Sequence, residues 1–382
     1  MMRFSLPQHN VFFSFFIYSF CFGAFFPRIG DLQLQMKVGE SSLGLALAGL
    51  PFGVQISLLF AEKILTVTGS RLLICLGIPI LGISLIISSL SYDPFSFFLS
   101  LFLGGLTVGA IEVAVNLEAD RTEYRIKKNI MNRSHSFWSL GFFTAGLIGA
   151  FLSQIQISPL VHFVLSFLVV SFLAILFFFR FQPSPQRPNS SVKSPIFVRP
   201  TKGVLALVVF TLSAMLIEGA GIDWSIIFMR DVFSTPPFLN GLAFALGAFA
   251  QFIVRYFADT FVERFGPVNV SRVSIISMLI GLILVCFSIE PYLALFGFAL
   301  MGGGNAVLFP LAMSAAAQRT DRSATANVAS LAQISFLVFL LGPPLLGFVA
   351  ENYGIRLSFG VGLPLLIFSW IFVYTLRTKN IE

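Results

Sequence analysis

Twelve stretches of mostly apolar residues follow one another along the chain, each close to the roughly 20 residues that carry a helix across a bilayer. They cover about 9–27, 42–61, 72–92, 95–117, 135–155, 158–180, 203–229, 239–257, 270–290, 292–314, 326–349 and 356–376. Arg3 ahead of the first run gives it the outline of a signal peptide, but a small-residue cleavage site is missing and the run has a counterpart later in the chain, so it reads as the first helix. Between the sixth and seventh runs, Phe181–Thr201 is rich in Pro, Ser and basic residues without periodicity, the character of a semi-extended linker. The pattern predicts an all-α polytopic membrane protein: 12 transmembrane helices in two pseudo-symmetric six-helix bundles, residues 1–181 and 203–382, joined by a linker at 182–202.

The halves repeat at an offset of 197 residues. Gly44–Ala48 (GLALA) lies over Gly241–Ala245 (GLAFA), Ala61-Glu62 over Ala258-Asp259, Gly69 over Gly266, Gly105 over Gly302 and Arg125 over Arg322. Several matches at one offset and equivalent depths argue for a duplicated six-helix unit. Secondary transporters use such repeats and place the solute site at the repeat interface near the midplane.

Composition agrees. Hydrophobic residues make up 57% and charged residues 11% of the 382, against about 25% charged in a soluble domain, and mean hydropathy is +0.91. The net charge of +7 does not point to nucleic acid. With the N-terminus in the cytoplasm, 20 of the 24 Lys and Arg fall on the inner side and only Arg28, Lys37, Arg230 and Arg356 on the outer, as the positive-inside rule requires. Both termini are then cytoplasmic. The 47 Phe read mainly as lipid-facing bulk, with an aromatic solute lining as the sharper alternative. Cys21, Cys75 and Cys286 lie in separate apolar runs and read as core residues, so neither a disulfide nor a metal site is expected, and no P-loop or cofactor motif is present.

The chemistry concentrates in helix 7, where Glu218-Gly-Ala-Gly-Ile-Asp-Trp224 places two carboxylates inside an apolar run. A charge at the bilayer centre costs about 2.5–3.5 kcal/mol on insertion scales, so such a residue normally faces a cavity or partner. Glu218 shares a helical face with Thr211, Ala214 or Met215, Ile222 and Ser225. It lies about 14 residues into the helix, roughly 21 Å, just past the midplane. Low dielectric favours the neutral form of a carboxyl, which suits a proton carrier. Asp223 points elsewhere and, with Trp224, reads as a possible outer-gate group. Helix 4 carries a stripe of Gly105, Gly109, Glu112 and Asn116, and helix 10 carries Gly302-Gly-Gly-Asn305 with Pro310, a place for a backbone break. Helix 1 offers Ser14, Tyr18 and Cys21; Gln55 and Gln251 are secondary candidates. The candidates for substrate and proton coupling are therefore Glu218, Glu112, Asn116, Asn305, Asp223, Tyr18 and Trp224. His135 and His162 read as hydrogen-bonded interface anchors.

Two basic loops complete the picture. The second half reads Arg255-Tyr-Phe-Ala-Asp259-Thr-Phe-Val-Glu263-Arg264-Phe-Gly266-Pro267, and the first half Ala61-Glu62-Lys63 through Gly69-Ser-Arg71. With two six-helix halves and a basic linker, these loops resemble the major facilitator superfamily, whose pattern is approximately G-x-x-x-D-R-x-G-R-R. Glu stands for Asp in the first copy, and both copies are lengthened. EGAGIDW, GGGNAVLFP and LLGPPLLGFVAENYGIR resemble a bacterial branch related to fucose-type sugar–proton symporters, mostly of unassigned substrate. The resemblance covers nearly the whole chain. It implies a cavity between helices 1, 4, 7 and 10, and an inner gate built on Asp259, Arg255, Arg264, Gly266, Glu62, Gly69 and Arg71. It also implies a monomer in a bacterial inner membrane. The expected function is alternating-access transport of a small solute coupled to protons, with import of a sugar or small polar metabolite favoured. The rivals are proton-driven efflux of amphipathic compounds and, from another class, a membrane-embedded sensor or enzyme. No catalytic set is visible, so an enzyme is not expected.

Overall fold

The computed structural model describes residues 7–185 and 199–377, without the side chains of 61, 62, 178, 180, 324 and 325. Positions 186–198 of the expected linker and the Glu62 side chain thus lie outside the described residues. Among the described residues every regular element is helical, and twelve helices are long and apolar enough to cross a membrane. They are α1 (Pro7–Met36), α2 (Glu40–Phe60), α3 (Lys63–Ser89), α4 (Pro94–Ile126), α5 (Met131–Gln154), α6 (Pro159–Phe177), α7 (Lys202–Phe233), α8 (Pro237–Phe265), α9 (Pro267–Phe287), α10 (Pro291–Ala317), α11 (Ala326–Tyr353) and α12 (Ile355–Leu376).

Local chemistry sets the starts. Asp93 caps α4 by accepting from the N–H groups of Phe95 and Ser96, Ser158 caps α6 through Val161, and Thr201 caps α7 through Val204. Proline occupies the first turn of α4, α6, α8, α9 and α10, where no backbone donor is wanted. Between α2 and α3 a loop is expected from 62 to 71, but helix continues through most of it, and the chain turns only at Gly69 (φ 72°, ψ 156°). The intervening Ile64–Val67 keep helical geometry, so the second helix runs on to the turn at Gly69, as its counterpart runs on to Gly266. The counterpart Gly266 has nearly the same backbone (φ 77°, ψ 156°). Lys37 and Ser234, also 197 residues apart, both end their helices in the left-handed region (φ 56° and 52°). The repeat therefore extends to backbone geometry that side chains rarely adopt.

Packing within each half relies on close backbone approach. A Cβ on Gly105 of α4 would meet Leu50 O of α2 at 2.1 Å, and one on Gly302 of α10 would meet Gly247 O of α8 at 2.2 Å, the same contact in both halves. Across the halves α5 packs on α8, and α2 on α11. The face opposite the basic loops is tightly joined. Arg230 donates to Gly30 O and to Gln33 Oε1 (2.8 Å), and the Ser41 N–H donates to Glu351 Oε2 (2.7 Å). Large apolar side chains such as Phe172, Phe296 and Ile371 lie more than half exposed, as expected of a lipid-facing rim. Other phenylalanines are buried: Phe26, Phe142 and Phe244 form a cluster across the two halves.

Candidate functional site

Glu112 and Glu218 belong to one polar chain that threads the middle of the bundle. In α4, Asn116 Nδ2 donates to Glu112 Oε1 (2.9 Å), the i, i+4 contact the helix offers. Tyr18 of α1 is buried against the same carboxylate. Asn116 Oδ1 meets His135 Nε2 of α5 at 3.1 Å. One turn on, Ser139 donates to Gln251 Oε1 of α8 (3.0 Å), and Gln251 Nε2 donates to Glu218 Oε1 of α7 (2.8 Å). Arg255 of α8 closes the chain. Its Nη2 reaches Glu218 Oε1 at 3.5 Å, its Nη1 donates to Ser139 Oγ (3.0 Å), and its Nε donates to Ala306 O (3.2 Å). Both charged side chains are largely buried, 12% exposed for Arg255 and 13% for Glu218. The guanidinium also lies 5.9 Å from the Trp138 ring centroid, within cation–π range.

Each link has a sequence cause. Asn132, His135 and Ser139 recur at i, i+3 and i+7, which puts them on one stripe of α5. The glycine run in α10 does produce the expected break: helix stops at Asn305 and resumes at Leu308. That break frees the Ala306 carbonyl, which Arg255 occupies. A buried guanidinium is tolerable when it is paired and hydrogen-bonded, and here each of its three nitrogens has an acceptor.

A cavity of about 50 Å³ opens beside Glu218, lined by Gln251 and Asn305 on the polar side and by Phe142, Phe244 and Phe298 on the apolar side. It has room for about three or four waters. Asn305 is 3% exposed, and its Oδ1 has no hydrogen-bond partner among the described residues.

The remaining expectations divide. Arg255, grouped with the inner gate by its motif, sits instead in the Glu218 network: four residues before Asp259, it lies one helical turn deeper in the bundle, where α7 supplies a carboxylate. Asp259 hydrogen-bonds Asn132 across the halves on the basic face. It borders a cleft that also contains Lys128, Arg133 and Glu263. Arg264 lies over the Phe265 ring, 5.2 Å from its centroid. Gly69 and Gly266 are the positive-φ turns already described, and the next residue, Ser70, hydrogen-bonds the buried Glu118. Arg71 makes contacts of its own near Cys75. Asp223 takes no part in the network. Trp224 is fully buried against Gly347 of α11, a core residue rather than a cavity wall. His135, expected only as an anchor, is a link in the chain. Ser139 and Asn132 lie outside the candidate set, although their i, i+7 spacing around His135 marks a stripe along α5.

Comparisons with known proteins agree with this architecture. The Major Facilitator Superfamily profile matches residues 205–381. An uncharacterized transporter of Sinorhizobium fredii is 28% identical over 94% of this chain and 95% of its own length. An uncharacterized MFS-type transporter of Yersinia pestis is 25% identical over 93% and 91%. The membrane protein MosC of Rhizobium meliloti is 23% identical over 90% and 83%. Among solved structures, a mutant of the nucleoside transporter NupG superposes with a TM-score of 0.75 at 13% identity, covering 97% of this chain and 98% of that one. A bacterial homologue of the human lysosomal transporter Spinster gives 0.67 at 15% identity, covering 98% and 100%. At these identities the structures speak for the fold alone.

Proposed function

We propose that the chain is a transporter of the major facilitator superfamily that moves a small solute by alternating access coupled to protons, with Glu218 as the proton carrier. The observation that carries this reading is the link between Glu218 and the opposite half through Gln251, Arg255 and Ser139. Ionised, Glu218 holds Arg255 and Gln251 in place, and those two side chains hold Ser139 of α5. Protonation removes the charge that fixes the guanidinium. The bridge between the halves then loosens on the side of the basic loops, while the Asn132–Asp259 contact serves as the inner gate. Glu112, joined through Asn116 and His135, is the second protonatable group on the same chain.

A sugar or small polar metabolite is the favoured solute, because the polar groups at the cavity are neutral or internally paired, and import is the direction favoured by the resemblance to sugar–proton symporters. Efflux of an amphipathic compound is the second reading, and the Phe142–Phe244–Phe298 wall favours it. The protein works as a monomer, in a bacterial inner membrane with both termini cytoplasmic, the orientation set by the distribution of Lys and Arg. The test is uptake into proteoliposomes with an imposed pH gradient. Glu218→Gln should abolish pH-driven accumulation and leave solute exchange intact; undiminished proton-driven uptake by this variant would sink the assignment.

A further inference from the structure

We propose that the cavity between Glu218 and Asn305 is a subsite for a neutral, hydroxyl-bearing solute, in which the Asn305 amide receives a hydroxyl and the phenylalanine wall receives an apolar face. This rests on the transport reading and adds the solute's chemistry.

Three observations carry it. First, Asn305 is buried, lines the cavity and leaves its Oδ1 without a partner. A buried acceptor left unpaired is costly, so a ligand that supplies a donor is favoured over one that does not. Sites built this way reject analogues lacking the hydroxyl far more strongly than apolar pockets reject a missing methylene.

Second, the two charges beside the cavity are paired with each other, so an ionic solute is offered no net charge. All three Arg255 nitrogens are engaged, by Glu218, Ser139 Oγ and Ala306 O. Glu218 is engaged in turn by Arg255 and Gln251. An anion would have to displace Glu218 from the guanidinium, and a cation would have to share a carboxylate whose Oε1 already takes Arg255 and Gln251. Gln251 is also committed on both amide atoms, to Ser139 and Glu218. Asn305 is therefore the group that selects.

Third, the cavity has a side on which chain packing does not close in. A Cβ on Gly221 of α7, which lines the cavity, would meet nothing within 4 Å. The present volume of about 50 Å³ admits water only. A sugar-sized solute fits when the halves separate on the basic side, and Gly221 then borders the enlarged space.

The test is ligand-induced thermal stabilisation of the purified full-length protein in detergent. The neutral probes are D-glucose and D-mannitol in one arm and uridine in another, so that sugar-like and nucleoside-like sources of the same hydroxyl chemistry are told apart. Gluconate, glucosamine and glucose 6-phosphate are the charged counterparts. Stabilisation by at least one neutral probe and by none of the charged ones is expected. Asn305→Leu, which keeps the volume and removes the amide, should weaken that binding at least tenfold without lowering the stability of the free protein. Gly221→Leu, which grows into open space, should abolish it with the fold intact. Stabilisation by the charged probes alone, by none of the probes, or unchanged affinity in Asn305→Leu overturns the proposal. Glu218→Gln separates the two readings. Loss of pH-driven uptake in that variant, beside unchanged neutral-probe binding in Asn305→Leu, keeps proton coupling and removes the subsite; the reverse keeps the subsite and removes the coupling.

Discussion

Removing one partner of the Glu218–Arg255 pair should cost far more than removing both. The nitrogen–oxygen distance is 3.5 Å and both side chains are nearly 90% buried. At an effective dielectric of about 20, full charges at that distance attract by about 5 kcal/mol. Desolvation of both groups offsets most of this, so the pair adds little net stability; breaking it is another matter, because the survivor is left as an uncompensated buried charge, typically at about 3–5 kcal/mol. The lower end applies here. Arg255 keeps Ser139 Oγ and Ala306 O as acceptors after Glu218→Gln, and Glu218 keeps the Gln251 amide after Arg255→Gln. Each single variant should therefore lose about 3 kcal/mol and the double variant only about 1 kcal/mol, giving a coupling of about 5 kcal/mol. Equilibrium unfolding in mixed detergent micelles, run as a double-mutant cycle, reads this directly. A coupling below about 0.5 kcal/mol, the range of independent sites, would refute the claim that these charges are paired in the folded bundle.

Two further outcomes are expected. Gly302→Ala should destabilise the second half by about 1–3 kcal/mol through overpacking, because the added methyl meets the Gly247 carbonyl at 2.2 Å and backbone cannot step aside; an unchanged unfolding midpoint would show that α8 and α10 separate freely. Asp321, in the loop between α10 and α11, is held down at about 2 by the Thr201 hydroxyl, with Asn327 and Arg319 adding to it. A carboxylate with a depressed folded pKa stabilises above its unfolded value of about 3.9 and loses that contribution as pH falls through about 2. Wild type should thus lose stability relative to Asp321→Asn between about pH 4 and pH 2, by less than about 1 kcal/mol since the group is exposed. Parallel pH profiles would contradict it.

Much of this was legible along the chain. Each bilayer crossing needs about 20 apolar residues whatever it packs against, so the twelve helices could be read from local composition, and the repeat at 197 residues showed in matched glycines before the backbone angles of Gly69 and Gly266 confirmed it. The expense of a buried charge singled out Glu218, and the glycine run in α10 announced a break. Helical periodicity, however, gives only which residues share a face; it does not say which neighbour that face meets. Arg255 was therefore assigned by its motif to the gate, and Trp224 by its proximity to Glu218 to the site. The bundle turned the first toward α7 and buried the second against α11. Ser139 and Gln251 lie 112 residues apart, and nothing local couples a serine on one helix to a glutamine on another. Whether a polar group in a membrane helix is satisfied depends on the rotation and approach of its neighbours. The sequence by itself determined the helices, the repeat and the costly carboxylate, because those follow from residue-by-residue transfer energies. Only the tertiary structure decided that Glu218 is bridged to the other half and that the buried Asn305 Oδ1 has no partner among the described residues.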